Sequence, residues 1–581
     1  MQRLSLKNDK RTIFLSVLLL GMMVIFVLRL FYLQVIKHND YVAEANAEEI
    51  KPLTIPAQRG LIYAMDGVTP VPLVINQTVY TLFADPSMVT NDNKVLSVIR
   101  QVAGGNLVSH VEDLLAIKDS RYEVLGKGLT HDQAQKIKDR NLSGIGFQQE
   151  SQRVYPEGSL AAQTLGFVNA DGKGQYGVEQ ALNKQLVGHD GLLKSVTDVS
   201  GVPLTIGNQN IDKPAKNGAN IALTIDPNIQ SYAEKALAAG LQHSHAPNGS
   251  VIIMDPQSGK VLAMANLPTY DPTQYNKVTD ASDFENPIVS APYEPGSDIK
   301  TFTMATGLDK GVVTPDATYN NTDFITIEDR TITNATKGQT GNITFQHALN
   351  YSLNTGFVTV EERLGDGTDI NDQSRNTLYD YFYNHFGFGQ GTGIEVAGEA
   401  PGIVVPPSDP QGNAVRYSNM AFGQGLDITM IQVASGFSAL VNGGTYHYPT
   451  VVAGTVDDNG NLTPARQKAP RKNIIAPQTS ATIHNMIHTA RQAFYAAQDK
   501  PGYDIGGKTG TSQTLVNGQY VDNQTVATYL GYGGDVTGAK YVIMVQTSGP
   551  GLNLQGNKDA LPIFTNISNW LIDYLKLQPK G

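Results

Sequence analysis

The feature that most constrains this chain is an uncharged apolar run close to its N-terminus. The run extends from Thr12 to Leu28 and follows four basic residues, Arg3, Lys7, Lys10 and Arg11. At about 1.5 Å per residue, a helix of this length reaches about 26 Å, close to the thickness of the hydrocarbon core of a bilayer. Basic residues stay on the cytoplasmic side of a spanning helix. The sequence therefore predicts a membrane anchor with a cytoplasmic N-terminus and an exported remainder.

A cleaved export signal is the alternative interpretation of the same run. Its best cleavage motif, Ala45-Asn46-Ala47, lies too far beyond the apolar residues, so an uncleaved anchor is favoured.

The formal net charge of −10 argues against nucleic acid as the main partner. The chain contains no cysteine, which excludes thiol catalysis, cysteine-ligated metals and disulfides.

The pattern of strands and helices in the second half of the chain predicts an α+β fold. Strand-like runs stand near both ends of this region, at Ser250–Asp255, Lys260–Ala265, Thr525–Tyr532 and Lys540–Thr547. Apolar residues at helical spacing flank them, at Ile229–Leu241 and Pro562–Leu575. We therefore predict one antiparallel sheet built from both ends and flanked by helices. A helical subdomain is inserted, with a cleft between it and the sheet.

The first chemical motif is Ser297-Asp298-Ile299-Lys300, which follows Pro295-Gly296. If a helix begins at the serine, positions i and i+3 share a face, and the Lys300 amine can reach the Ser297 hydroxyl. A serine hydroxyl needs a neighbouring base before it becomes a good nucleophile, and a partly buried lysine can serve as that base. By itself the pattern also fits a capping serine followed by a solvated lysine.

The second motif is Ser352-Leu353-Asn354, between a helical segment and Gly356. At a corner between two helices, residues i and i+2 can point the same way. There Ser352 could relay protons and Asn354 could hold a substrate amide, although an ordinary capping corner has the same sequence.

The third motif is Gly507-Lys508-Thr509-Gly510-Thr511, just before strand-like sequence. Lys508 and the hydroxyls of Thr509 and Thr511 form a set of carboxylate-binding groups, and Gly510 permits close approach of the backbone. The backbone amides of Thr511 and Ser297 could together form an oxyanion hole. A glycine-rich edge strand is the alternative.

Together, in this order, the three motifs resemble the active-site set of penicillin-recognising serine transpeptidases and serine β-lactamases. More of the chain resembles one branch, the monofunctional class B penicillin-binding proteins. The segments that carry this resemblance are the N-terminal anchor, Arg59–Tyr63, Arg153–Val168, Gly174–Gly191, Thr224–Gln230, Met254–Ala265, Tyr293–Ser297 and Gly423–Gly444. The run Asn169–Glu179 is closer to division-specific members than to elongation-specific ones.

The resemblance implies a peptidoglycan transpeptidase that acts on stem peptides, is acylated by β-lactam antibiotics and needs no cofactor or metal. It implies four segments: a cytoplasmic segment at 1–11, an anchor at 12–33, a noncatalytic pedestal at 34–215 and a transpeptidase domain at 216–581. Arg59 and Glu179 are interpreted as salt-bridge or hinge residues of the pedestal. Since residues 34–215 are too few for a glycan-polymerising domain, a separate membrane polymerase and division or elongation proteins are the expected partners.

Three other functions remain as alternatives: an elongation-type transpeptidase, a membrane-anchored β-lactamase and a noncatalytic cell-wall scaffold. A class A β-lactamase needs a glutamate base in a loop, whereas Glu361 and Glu362 lie in helical sequence.

Two departures from the family pattern stand out. Ala64-Met65-Asp66-Gly67 replaces an acidic-Arg-Asn-Gly turn. Asp298 stands where small or apolar residues are commoner, and an acid there suits the first turn of a helix.

Overall fold

The computed structural model describes residues 10–41, 50–196, 211–516 and 519–579. It contains two compact units, one formed by Met1–Gln58 with Gly188–Gly218 and the other by Arg59–Val187 with Ala219–Gly581. Most of the predicted cytoplasmic segment and the Ala45-Asn46-Ala47 motif lie outside the described residues.

The first unit contains the N-terminal helix Lys10–Phe31, which continues as a wider turn at Tyr32–Ile36. The span Ile13–Ile36 is long and apolar enough to cross a membrane, and none of it is buried within the protein. The unit also contains an antiparallel sheet of three strands, Ile50–Ile55, Gly191–Val196 and Ile211–Lys213.

The second unit begins with a seven-stranded sheet. Six of its strands follow one another in the order Leu462–Pro464, Val452–Val456, Asn220–Leu223, Ile62–Asp66, Thr69–Ala84 and Glu123–Leu129, while Ile145–Val154 also pairs with Thr69–Ala84. The helices Asp92–Ala103, Val111–Ala116 and His131–Lys138 contribute to a small apolar core with these strands. Two strands of the sheet thus come from far along the chain, beyond residue 450.

A buried ionic cluster lies beside this sheet. The fully buried Glu179 accepts hydrogen bonds from Arg59 Nε at 2.8 Å and Arg153 Nε at 2.7 Å. Arg59 also donates to Asn183 Oδ1 at 2.9 Å. The predicted salt bridge between Arg59 and Glu179 is confirmed, and Arg153 completes it.

The second sheet of this unit has five strands, labelled in chain order β1 (Asn248–Met254), β2 (Val261–Leu267), β3 (Asp504–Val516), β4 (Gln519–Asp535) and β5 (Gly538–Ser548). The strands are antiparallel in the order β2-β1-β5-β4-β3, so β3 is an edge strand. The predicted sheet built from both ends of the region is therefore present.

Helices cover both faces of this sheet and form the inserted helical subdomain. They are α1 (Pro227–Ser244), α2 (Lys300–Asp309), α3 (Phe345–Tyr351), α4 (Asn354–Leu364), α5 (Met430–Val441), α6 (Pro477–Tyr495) and α7 (Leu561–Tyr574). Helix α1 begins where Asp226 accepts from the backbone N–H of Asn228 and Ile229, with Pro227 in its first turn. Helices α1 and α7 share one apolar core with one face of the sheet. The helical subdomain shares a second core with the other face and with strands of the seven-stranded sheet.

Shorter elements complete the unit. The helices are Ala162–Leu165, Gly177–Ala181, Asn183–Leu186, Pro287–Ser290, Asp372–Tyr379 and Ala414–Met420. Three small hairpin-like sheets pair Phe167–Val168 with Gly174–Gln175, Thr318–Asn321 with Gly341–Thr344, and Phe324–Ile327 with Arg330–Thr333.

Candidate active site

Ser297 lies in a tight turn between a loop and a helix. Gly296–Ile299 forms one 3-10 turn, and the α-helix α2 begins only at Lys300. Gly296 adopts a φ of 62°, and a Cβ at this position would lie 2.7 Å from the carbonyl oxygen of Thr511. Only glycine fits there, because the nucleophile turn packs directly on strand β3.

Lys300 is the centre of the site. Its Nζ donates to the backbone oxygen of Ser352 at 2.7 Å, to Ser352 Oγ at 3.1 Å and to Asn354 Oδ1 at 2.7 Å. Its side chain is almost completely buried. Burial, together with the positive charge of Lys508, holds the pKa of Lys300 well below its ordinary value.

The second motif forms the predicted corner between two helices. Ser352 ends α3 in the left-handed conformation with a φ of 56°, and Asn354 is the first residue of α4. This geometry turns both polar side chains toward Lys300. The other end of the Asn354 amide donates to the backbone oxygen of Thr333 at 2.8 Å, so both ends of that amide are occupied.

The third motif lies on the edge strand β3. Thr509 and Thr511 face a cavity, and Thr511 Oγ1 accepts from the Gly556 N–H at 3.2 Å. The Lys508 side chain is buried, and its Nζ donates to the Thr509 backbone oxygen at 2.8 Å. Burial lowers the pKa of Lys508, and the charge of Asp298 opposes this effect. Lys508 thus lies behind the cavity wall, whereas the sequence placed it beside the two threonines.

The three motifs line one cavity of about 340 Å³. The remaining lining residues, which sequence reasoning did not single out, are Ala335, Thr336, Tyr351, Phe422, Gln424, Gln555 and Asn557. Of these, Gln424 lies in the segment Gly423–Gly444 that carried part of the resemblance, and Tyr351 adjoins the second motif. The others have no local signal in the sequence: they lie in loops, except for Asn557, which lies in the short helical turn Gly556–Ala560. A larger cavity of about 560 Å³ lies elsewhere in the unit and contains no residue of the motifs.

Comparison with known proteins agrees with this geometry. A family model described as the penicillin-binding protein transpeptidase domain matches residues 249–569, which is more than half of the chain. The chain belongs to the penicillin-binding protein family. A second family model, the penicillin-binding protein dimerisation domain, matches residues 54–223. This penicillin-binding protein therefore combines a pedestal-type domain with a transpeptidase domain, and the resemblance to the class B branch is confirmed.

Individual relatives share nearly the whole length. The stage V sporulation protein D of Bacillus subtilis is 30% identical over 586 residues, covering 98% of this chain and 86% of the relative. The peptidoglycan D,D-transpeptidase FtsI of Buchnera aphidicola is 26% identical, covering 96% of this chain and 94% of the relative. Among solved structures, penicillin-binding protein 3 of Mycobacterium tuberculosis in complex with aztreonam is similar with a TM-score of 0.68. It is 25% identical and covers 91% of this chain and 98% of the solved chain.

Proposed function

We propose that this penicillin-binding protein is a peptidoglycan D,D-transpeptidase that crosslinks stem peptides through an acyl-enzyme on Ser297. The observation that carries the proposal is the environment of Lys300. Its amine is buried, has a strongly lowered pKa and is held by the second motif in the cavity that Ser297 lines. A lysine with these properties loses its proton more readily than an ordinary lysine and can act as a general base.

The hydrogen bonds of Lys300 support this role. A neutral amine has two N–H groups and one lone pair. The two N–H groups can satisfy the carbonyl oxygens of Ser352 and Asn354, which both lie 2.7 Å from Nζ. The lone pair then remains free to take the Ser297 proton directly, or through the Ser352 hydroxyl at 3.1 Å.

The reaction follows from this arrangement. Ser297 Oγ bonds to the carbonyl carbon of the penultimate D-alanine while its proton passes to Lys300. Backbone N–H groups of Ser297 and Thr511 stabilise the oxyanion, and Thr509 and Thr511 bind the terminal carboxylate near the charge of Lys508. The peptide bond to the last D-alanine then breaks, and the leaving amine takes the proton from Lys300. The amine of a second stem peptide attacks the ester carbonyl and loses a proton to Lys300. The bond between that carbon and Ser297 Oγ then breaks, and Oγ takes the proton back from Lys300.

The cellular setting is part of the same proposal. The N-terminal helix anchors the protein with its N-terminus in the cytoplasm and its transpeptidase domain outside, as the basic flank predicts. The names of its relatives, FtsI and stage V sporulation protein D, favour a role in division or septum-related wall synthesis. A membrane glycan polymerase and division proteins are the proposed partners. A periplasmic-type reporter fused after residue 50 tests the orientation, because it is active only when exported.

Labelling with a fluorescent penicillin tests the chemistry. The full chain in detergent should be labelled covalently, and peptide mapping should place the label on Ser297. Ser297→Ala should lose the label with an unchanged thermal unfolding profile, and Lys300→Ala should slow labelling by about 10²–10⁴-fold. A label on another residue, or undiminished labelling of Ser297→Ala, would refute the assignment.

A further inference from the structure

Asp298 lies directly beside the nucleophile but does not face the cavity. Its side chain is fully buried, whereas the sequence suggested only that it is an acid in the first turn of a helix. A Cβ on Gly510 would lie 2.9 Å from both Cγ and Oδ1 of Asp298, so this carboxyl packs flat against strand β3. Gly510 is glycine for that reason. The side chains of Asp298 and Thr528 occupy the space that a Cβ at Gly510 would fill.

The carboxyl of Asp298 is buried with little polar compensation. Within the described part of the chain neither of its oxygens makes a hydrogen bond of good geometry, and the Thr528 hydroxyl stabilises the carboxylate only in part. The Thr528 hydroxyl lies on the same side of the strand, and the pKa of Asp298 is raised by burial despite the opposing effects of Thr528 and Lys508. An ionised carboxylate in such a place needs a positive charge nearby.

Lys508 supplies that charge. Lys508 and Gly510 stand two residues apart on β3 and therefore on the same face of the strand. The ammonium of Lys508 makes its hydrogen bonds to Thr509, and no carboxylate of the described residues lies within ion-pair distance of it. Asp298 is the acidic group whose charge acts on it. The charged forms of Asp298 and Lys508 thus stabilise each other electrostatically without a direct ion pair.

The other ionisable groups around the pair are few. Lys300 lies on α2, and burial together with the positive charge of Lys508 lowers its pKa. Tyr293 lies on the loop before the nucleophile turn, and burial together with the charge of Asp298 raises its pKa. The residue of β4 that faces Asp298 is Thr528, which does not ionise. Asp298 is therefore the group next to Lys508 that can favour its charged form.

We propose that Asp298 is a positioning residue for carboxylate recognition, because its buried anion holds Lys508 as an ammonium behind Thr509 in the unliganded enzyme. This inference rests on the proposed acylation of Ser297. If Lys508 must be charged to attract the substrate carboxylate, acylation by a penicillin declines at alkaline pH as Lys508 loses its proton. Removing the anion leaves burial unopposed, so Lys508 loses its proton at lower pH.

The test is the pH profile of the second-order rate constant for acylation by a penicillin, followed by intact-protein mass spectrometry. In Asp298→Asn, which keeps the shape and removes the charge, the alkaline limb should move to lower pH by roughly one unit, as expected for the loss of a nearby opposite charge. Glu361→Gln is the matched control. Glu361 is also fully buried with both oxygens unpaired, but it lies outside the cavity. Its alkaline limb should stay in place.

A second variant tests the other partner and does not depend on the folding of Asp298→Asn. Arginine does not lose its proton in the accessible range, so Lys508→Arg should abolish the alkaline limb. A limb that persists in Lys508→Arg, or that stays in place in a folded Asp298→Asn, overturns the inference and leaves the proposed function intact. Failure of the wild-type chain to be acylated at Ser297 would instead overturn the proposed function.

Discussion

Lys300 Nζ lies 2.7 Å from Asn354 Oδ1, so the amine of the first motif is fixed by the amide of the second. The amide is neutral and adds no charge to the buried lysine. A carboxylate in its place would stabilise the ammonium form and raise the pKa of Lys300.

Asn354→Asp should therefore move the acidic limb of the pH profile of acylation to higher pH. A nearby opposite charge shifts a pKa by about 1–3 units, so the acidic limb should rise by about that much. Asn350→Asp is the control, because Asn350 Oδ1 accepts from Gln346 and not from Lys300. An acidic limb that stays at its wild-type position in Asn354→Asp would contradict the role of Lys300 as the base.

The acyl-enzyme formed with penicillin should persist. None of the described residues that line the cavity is an aspartate or a glutamate, and Glu361 is buried outside it. A water molecule in the site therefore has no carboxylate base. The adduct seen by intact-protein mass spectrometry should last for many minutes, compared with a typical enzymatic turnover of about 10 s⁻¹. Rapid return to the unmodified mass with accumulation of hydrolysed drug would identify a β-lactamase.

Gly510→Ala should destabilise the protein and slow acylation. The new methyl group would clash with Thr528 Oγ1 and press on Asp298. Overpacking of this kind costs about 1–3 kcal/mol, which thermal unfolding would register as a lower midpoint. Thr528→Ala in the same chain should restore part of the loss. Gly105→Ala should have little effect, since no atom lies within 4 Å of the added Cβ. Equal midpoints for Gly510→Ala and Gly105→Ala would contradict the packing described here.

Glu179→Ala should weaken the domain that carries the seven-stranded sheet. It would leave the buried side chains of Arg59 and Arg153 without their anion, and removal of one partner from a buried pair costs about 3–5 kcal/mol. Glu112→Ala removes an exposed partner of Arg100 and should cost at most about 1 kcal/mol. The midpoint of the first thermal unfolding transition measures the loss of stability in each of the two variants. A loss for Glu179→Ala no greater than that for Glu112→Ala would show that the cluster is not a stabilising one.

Local patterns in the sequence were sufficient for much of the fold. The apolar runs at Ser250–Asp255 and Lys540–Thr547 predicted β1 and β5 because a buried central strand is apolar on both faces. The spacing of apolar residues predicted α1 and α7 to within two or three residues at each end. Pairing between distant segments leaves no such pattern, so the strand Val452–Val456 was not anticipated.

In the candidate site, too, local features were predicted from the sequence and contacts between distant segments were not. The corner at Ser352 and Asn354 followed from local sequence, because a helix ended there and another began. The direction of Lys508 did not, because it depends on which face of β3 packs against the nucleophile turn. The burial of Asp298 was missed for the same reason, since the sequence shows that it starts a helical turn but not what lies opposite.

The strands Val452–Val456 and Asn220–Leu223 pair with each other inside the sheet that also contains Ile62–Asp66. Suppose that a gene exchange replaced only the residues before about 223. The strand Asn220–Leu223 would then come from one parent, while the hairpin of residues 452–464 that pairs with it would come from the other. Such hybrids should survive only when the two parents share the sequence of that hairpin or exchange it together with the N-terminal half. Recombination between related genes for this protein is thus expected to leave three crossover points, one near residue 220 and one on each side of residue 460.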